Sequence, residues 1–184
     1  MGMIAGDAYH HAVWFAVLLL FLIAERMLEL RAANRNFRRL LEMGGREFGA
    51  RHYPAIVAMH AAFFASLVIE FLARGFPLAP FWPVALAVFA LAQALRFWTR
   101  HTLGKRWTTR VVAIPGEQLV ASGPFRFARH PNYIAVALEL FSVPLIFGLY
   151  ATCIIFSVLD AILLLRIRIP TEQAALENAQ KITP

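Results

Sequence analysis

A short segment in the second half of the chain concentrates side chains that bind anions and exchange protons. It reads Arg129-His130-Pro131-Asn132-Tyr133 and is followed directly by a long apolar run. Pro131 suits the first turn of a helix, because the N–H group that proline lacks would have no partner there. His130 is therefore expected at a helix N-terminus, where free N–H groups and the helix dipole favour an anion. The residues alone are equally compatible with a basic helix start that contacts only lipid headgroups.

A second polar group lies near the C-terminus. Arg168 and Glu172 are four residues apart and would share one face of a continuous helix. Pro170 lies between them and predicts a break or kink, after which Thr171 would cap a short tail helix over 172–180. The simplest interpretation of the two charged residues is a surface ion pair, which would contribute little to stability.

Ionisable side chains also occur inside the apolar runs, where desolvation is costly and makes them candidates for function. They are Glu25, Arg26, Glu29, Glu70, Arg96, Glu139 and Asp160, with His60 as a polar companion. Glu139 and Asp160 lie deep in their runs, so each is expected to have a partner or to line a polar cavity. Arg96 and His60 are the candidate partners. The charges of residues 25–29 predict an interfacial helix end, and Glu70 predicts a hydrated outer end.

The composition places these residues in a membrane protein. Of the 184 residues, 60% are hydrophobic and 16% are charged, whereas soluble domains have about 45–50% apolar and about 25% charged residues. Five apolar runs are near the roughly 20 residues that cross a bilayer. They cover about 12–30, 54–72, 81–98, 131–149 and 151–167. The sequence therefore predicts a single domain over residues 1–184, an all-α integral membrane protein with about five transmembrane helices.

The basic residues support this count and predict an orientation. No Lys or Arg precedes the first run, six arginines lie between residues 31 and 51, and seven basic residues lie between 96 and 129. The other two loops have one basic residue and none, and the tail has three. The pattern predicts an outside N-terminus and a cytoplasmic C-terminus. Because topology accounts for the net charge of +7, a nucleic-acid partner is not predicted.

The connections between the runs carry further signals. Only a residue or two around Tyr150 separates the last two runs, which predicts a tight antiparallel helical hairpin. The segment Val111–Val120 alternates weakly around a Pro-Gly turn and predicts a short hairpin or an interfacial loop. The single cysteine, Cys153, cannot form an intrachain disulfide or a thiolate metal site, and no metal site is predicted.

The polar segments together resemble a known family. SGPFRFARHPNYIAVALE, followed by the hydrophobic hairpin and RIPTEQAAL, is similar to the signature of the isoprenylcysteine carboxyl methyltransferase family. The signature spans about 119–177, and its matching positions are Gly123, Pro124, Phe125, Arg126, Arg129, His130, Pro131, Tyr133, Arg168, Ile169, Glu172 and Leu176. The segments ERMLELRAANRNF and LGKRWTTRVVAIPGEQLV resemble a bacterial branch associated with O-methylation of polyketide lipids such as alkylpyrones and alkylresorcinols. The resemblance thus implies the bacterial inner membrane.

The resemblance implies S-adenosylmethionine as methyl donor, bound without a Rossmann domain in a cytoplasmic pocket beside the last two spans. The implied cofactor-binding residues are Gly123, His130, Pro131, Tyr133 and Glu172. Arg129 and Arg168 are the implied catalytic or orienting residues. Glu139 is a further candidate, as the general base that a phenolic acceptor would need. Two positions depart from the family pattern: Gln173 replaces the usual second Glu, and Ala135 replaces a Gly that often follows the Tyr.

The sequence does not identify the methyl acceptor. A lipophilic polyketide or isoprenoid lipid, methylated on a hydroxyl or a carboxylate, would enter from the bilayer through a gap between helices, while the donor enters from the cytoplasm. Membrane lipids are the other expected partners. A prenylated cysteine carboxylate is the alternative that the family name suggests. Two alternatives belong to other functional classes. One is a non-enzymatic carrier or assembly factor, whose buried charges line a pathway, and the other is a sterol-reductase-like enzyme that uses a nicotinamide cofactor.

Overall fold

The structure is a computed structural model, and it describes residues 2–181. Its α-helices are α1 Gly2–Glu42, α2 Tyr53–Ala73, α3 Trp82–Leu103, α4 Pro131–Ile146, α5 Tyr150–Leu163 and α6 Ile169–Lys181. Two short strands, β1 Arg46–Phe48 and β2 Val111–Ala113, form an antiparallel sheet. Helix α4 packs between α3 and α5, and α2 packs on α5. The fold is therefore helical, as predicted, apart from this one small sheet.

Three helical segments of the described chain are long and apolar enough to cross a membrane: Ala50–Ala73, Trp82–Arg106 and Tyr150–Ala179. They contain the second, third and fifth predicted spans. The fourth predicted span coincides with α4, which has 16 residues and a length of about 24 Å, less than a hydrocarbon core of about 30 Å. The first predicted span lies inside α1, which has 41 residues and extends into the basic segment. For these two helices, crossing the membrane stays a prediction.

The predicted hairpin is present between α4 and α5. The two helices are joined by residues 147–149, and Gly148 adopts a φ of +64° in this turn. The N–H of Leu149 donates to the carbonyl of Pro144 at 2.9 Å, which closes the turn. The chain thus reverses in three residues, and the two ends of the signature segment return to the same end of the bundle.

Of the predicted break or kink at Pro170, the break is wrong. Helix α5 continues through a π-helical turn, Leu164–Arg168, into α6 without interruption. A π-turn alters the backbone hydrogen bonds locally, so the N–H group missing from Pro170 falls beside a turn that already departs from the α pattern. Thr171 does not cap a separate helix, because its hydroxyl donates to the carbonyl of Ile167 at 2.7 Å.

The sheet replaces the predicted hairpin or interfacial loop. Strand β2 pairs with β1 from the connection between α1 and α2, with Arg46 opposite Ala113 and Phe48 opposite Val111. We call the end of the bundle that carries this sheet the sheet end. The pairing joins residues more than sixty positions apart, and a three-residue alternation gives no sequence signal for a partner so distant.

Aromatic residues fill the apolar core at the opposite end. The rings of Phe15 and Phe71 stack with centroids 3.9 Å apart, and Phe147 packs edge-on against both. This contact joins α1, α2 and the hairpin turn. Outward-facing positions are also apolar, including Leu20, Val84 and Ile154, and such exposed apolar surface suits contact with lipid.

A buried group of charged residues ties three helices together. We call it the core ion cluster: Arg26 and Glu29 of α1, Arg96 and Arg100 of α3, and Glu139 of α4. Arg26 contacts Glu29 at 2.7 Å and Glu139 at 2.8 Å, and Arg96 contacts both carboxylates. Glu29 and Arg96 are each 1% exposed. The expectation of an interfacial end at Glu29 is therefore wrong, because α1 continues and packs this face against its neighbours. The expected pairing of Glu139 with Arg96 is confirmed.

Glu70 is not simply a hydrated end. Its carboxylate accepts hydrogen bonds from the N–H groups of Ala151 and Thr152, at 3.2 and 2.7 Å. Those N–H groups belong to the first turn of α5, where an anion is favoured. Glu70 therefore anchors the start of α5 to α2.

Candidate functional site

A cavity of about 670 Å³ opens at the sheet end of the bundle. Its walls come from the inner parts of α2 and α3, the connection after α3, the start of α4, the π-turn and α6. Pockets for small ligands commonly measure about 300–1,000 Å³. The hairpin explains why both parts of the signature segment meet here, since α4 begins and α5 ends at the same end of the bundle.

The outer end of the cavity carries a hydrogen-bonded group that we call the outer network: Tyr133, Arg168, Glu172 and His130. The hydroxyl of Tyr133 donates to the carboxylate of Glu172 and accepts from Nε of Arg168 at 3.1 Å. A second nitrogen of Arg168 donates to the carbonyl of Thr109 at 2.6 Å. Within residues 2–181, Arg168 and Glu172 form no direct ion pair. Instead of forming the predicted surface ion pair, Arg168 and Glu172 are joined through the hydroxyl of Tyr133.

His130 completes this network just before the first turn of α4. Its Nδ1 lies 3.6 Å from the Glu172 carboxylate. Its ring stacks on Tyr133 with centroids 5.2 Å apart and planes within 15°. Pro131 is buried in the first helical turn, where its missing N–H group is harmless. The start of α4 therefore places a histidine and a tyrosine against the carboxylate of Glu172 on α6.

Several polar groups of the outer end have no protein partner. Arg129 is exposed and makes no hydrogen bond or ion pair with any residue from 2 to 181. The side-chain oxygen of Asn132 and the indole nitrogen of Trp107 are buried without a hydrogen-bond partner. Buried polar atoms are usually paired. All three residues line the cavity, and the exposed guanidinium group of Arg129 is free to contact a ligand.

The inner end of the cavity is formed by His60, Arg96 and Asp160, with Arg26 beside them. Asp160 precedes Arg168 by eight residues on one continuous helix, which places it about 12 Å deeper along the axis. It is 3% exposed. The predictions for Asp160 included a partner or a polar cavity, and the structure shows the cavity.

The structure brings six of the predicted site residues to this cavity: Arg129, His130, Pro131, Tyr133, Arg168 and Glu172. Gly123 and Glu139 are not among its lining residues. Gly123 has a φ of +59° and lies against Thr102, whose side chain would overlap an added Cβ. Its position is therefore explained by the close approach of the 3₁₀ turn Gly123–Arg126 to α3. The individual roles of all these residues stay predictions.

Some residues of the site were not predicted. Thr109 supplies the carbonyl that holds Arg168, and its hydroxyl is 3.0 Å from the hydroxyl of Tyr53. Trp107 also lines the cavity. Backbone carbonyls carry no residue-type signal, so Thr109 could not be found from the sequence. Gln173, the departure from the family pattern, also lines the cavity.

Comparisons with known proteins agree with this geometry. The model of the isoprenylcysteine carboxyl methyltransferase (ICMT) family matches residues 85–178, about half of the chain. The matched region contains most of α3, all of α4 and α5, and most of α6, and these helices contribute to the cavity wall. This chain belongs to the ICMT family.

Two bacterial relatives extend the similarity over most of the chain. "Uncharacterized protein YpbQ" of Bacillus subtilis is 37% identical over 164 residues, which cover 89% of this chain and 97% of the relative. An "Uncharacterized protein" of Haemophilus influenzae is 25% identical over 158 residues, covering 85% of this chain and 91% of the relative. No solved structure matches this chain significantly.

Proposed function

We propose that this protein is a membrane-embedded, S-adenosylmethionine-dependent O-methyltransferase acting on a lipophilic acceptor. The observation that carries the proposal is the convergence of the family signature on one cavity, with the outer network and unpaired polar groups at its outer end. The family supplies the reaction type. The cavity supplies a place where a water-soluble donor and a lipid can meet.

The chemistry of the outer end suits S-adenosylmethionine, which has a carboxylate, two cationic centres, ribose hydroxyls and an adenine ring. Arg129, which has no protein partner, can bind the donor's carboxylate through paired hydrogen bonds. Glu172 suits a cation or a ribose hydroxyl, and it is held by Tyr133 and His130. When bound, the donor would supply an activated methyl group on sulfur.

The acceptor side of the proposal rests on the inner end and the surface of the bundle. Apolar side chains cover the outward faces of the helices, so a lipid chain can remain in the bilayer while its polar head enters the cavity. Alignment of the two reactants and exclusion of water can lower the barrier by about 7–11 kcal/mol. We propose the bacterial inner membrane as the location, with the outer end of the cavity facing the cytoplasm.

Binding of S-adenosylmethionine tests the proposal directly. Isothermal calorimetry on detergent-purified protein is expected to show saturable binding, weakened at least about 10-fold (~1.4 kcal/mol) by Glu172→Gln and by His130→Ala. Glu177→Gln is the matched control, because Glu177 is an exposed carboxylate on the same helix that does not line the cavity.

Two outcomes would contradict the proposal. A folded wild-type protein that does not bind S-adenosylmethionine, in detergent and in nanodiscs, would favour a non-enzymatic carrier. Equal weakening by Glu177→Gln and Glu172→Gln would show that binding does not depend on this cavity.

A further inference from the structure

One carboxylate in the cavity has no protein partner. Asp160 forms no hydrogen bond or ion pair with any residue from 2 to 181, although it is 3% exposed and lines the cavity. Its carboxylate oxygens are not among the buried atoms that lack both accessible surface and a hydrogen-bond partner. Because Asp160 lines the cavity, the carboxylate is accessible from the cavity. Burying an unpaired carboxylate is costly, and such a group is retained where it has a function.

The other buried carboxylates differ from Asp160 in this respect. Glu29 and Glu139 each contact two or more arginines of the core ion cluster. A carboxylate held by two guanidinium groups already uses its oxygen atoms in charge-assisted hydrogen bonds, so they are not free to contact an acceptor. Glu139 is also absent from the cavity wall. The general base expected at Glu139 is therefore better supplied by Asp160.

The depth of Asp160 separates it from the proposed donor site. Glu172 follows Asp160 by twelve positions of continuous helix, a distance of about 18 Å along the axis. The water-soluble donor fits the outer network. The inner end, deeper among the helices, faces the part of the cavity left for the lipid acceptor.

We propose that Asp160 is the general base that takes the proton of the acceptor, and that the acceptor is a lipid with a weakly acidic hydroxyl, a phenol or an enol. This inference rests on the proposed function. A carboxylate acceptor is already ionised and needs no base. It would also be repelled by the unpaired charge of Asp160.

The step balances in atoms and charge. The hydroxyl oxygen of the acceptor forms a bond to the methyl carbon while the carbon–sulfur bond breaks and its electron pair stays on sulfur. The hydroxyl proton passes to Asp160, which becomes a neutral carboxylic acid. The products are the methyl ether and neutral S-adenosylhomocysteine, and Asp160 later returns its proton to water through the outer end of the cavity.

His60 is the competing base at the inner end. Its Nδ1 is 2.9 Å from the carbonyl of Ile56. Because a carbonyl can only accept, Nδ1 carries the proton and leaves Nε2 as an acceptor in the neutral ring. Asp160 is preferred as the base, because a buried carboxylate without a protein partner does not stabilise the fold.

The experiment compares wild-type protein with Asp160→Asn, Asp160→Glu, His60→Gln and the control Glu177→Gln. The probes are pentadecylresorcinol as a phenolic lipid and N-acetyl-S-farnesylcysteine as a carboxylate. We expect transfer to the resorcinol to fall at least about 100-fold in Asp160→Asn, with partial activity in Asp160→Glu and an unchanged affinity for S-adenosylmethionine. The midpoint of thermal unfolding of Asp160→Asn should equal or exceed that of wild type, because an unpaired buried charge is removed.

The contrary outcomes separate this inference from the proposed function. Methylation of the farnesylcysteine alone, unaffected by Asp160→Asn, would overturn the base and leave a methyltransferase. Loss of donor binding in Asp160→Asn would make Asp160 a donor ligand, and loss of transfer only in His60→Gln would make His60 the base. A clearly lower unfolding midpoint of Asp160→Asn would show that the carboxylate has a structural partner. This result would overturn the inference even before any acceptor is tested. Failure of wild type to bind S-adenosylmethionine would overturn the proposed function and this inference together.

Discussion

The core ion cluster and the outer network contain the same kinds of side chain, yet they are built differently. In the core ion cluster both carboxylates are bound by arginines, and Glu29 and Arg96 are each 1% exposed. In the outer network the single carboxylate, Glu172, is shared by a tyrosine and a histidine, and Arg129 nearby has no protein partner. Mutual compensation of charge suits a structural tie between helices. Incomplete compensation leaves polar groups for a ligand.

The difference also separates stability from binding. Removing one member of a buried ion group leaves the others charged and unpaired, which is costly. Removing one member of a partly exposed network leaves groups that water can still reach. Substitution in the core ion cluster should therefore lower stability, whereas substitution in the outer network should weaken ligand binding. Three variants, with their controls, test this contrast.

The largest effect is expected at the centre of the core ion cluster. Arg96→Leu should lower the free energy of unfolding by about 3–5 kcal/mol, because Glu29 and Glu139 both lose a buried partner. Unfolding titrations in SDS measure the change. Arg100→Leu is the matched control on the same helix. Arg100 is 30% exposed and has one ion pair, so its loss should cost about 1–2 kcal/mol. Equal losses in the two variants would contradict the cluster's structural role.

A smaller effect is expected in the outer network. Tyr133→Phe removes the hydroxyl that joins Arg168 to Glu172, and it should weaken S-adenosylmethionine binding about 5-fold, or ~1 kcal/mol. Calorimetry measures this affinity. Tyr53→Phe also loses a hydroxyl contact, at 3.0 Å from Thr109, but Tyr53 does not line the cavity. An affinity that falls in the Tyr53 variant and not in the Tyr133 variant would refute the assignment.

The smallest effect is expected at an ion pair outside both groups. Arg106 and Glu117 lie 2.6 Å apart with side chains 44% and 27% exposed. Glu117→Gln should change the free energy of unfolding by less than about 1 kcal/mol, and by less still at high salt. The same SDS titration provides the value. A loss comparable to that of Arg96→Leu would mean that exposure does not distinguish the charged pairs of this protein.

The sequence allowed much of the candidate site to be predicted. Arg129, His130 and Tyr133 lie within five consecutive residues, and Pro131 marks the helix start that fixes their geometry. The short turn between α4 and α5 then required Arg168 and Glu172 to return to the same end. These predictions depended on local spacing and on one reversal of the chain, and both can be recognised from the sequence.

Other features could not be predicted, because they depend on contacts between distant segments. The charges of residues 25–29 looked interfacial, since nothing nearby in the chain indicates that Arg96 and Glu139 cover them. Pro170 looked like a helix break, because a π-turn has no simple residue signature. The sheet likewise joins two three-residue strands that are unremarkable when taken separately.

By itself, the sequence determined the helical class of the protein, the positions of its long apolar helices and the membership of its signature residues in one family. These properties follow from hydrophobicity, chain reversal and residue type, which act locally. Only the tertiary structure decided which charges are neutralised and which remain free. Pairing of Glu139 and isolation of Asp160 depend on where neighbouring helices place their arginines, because a buried charge is costly unless it is paired.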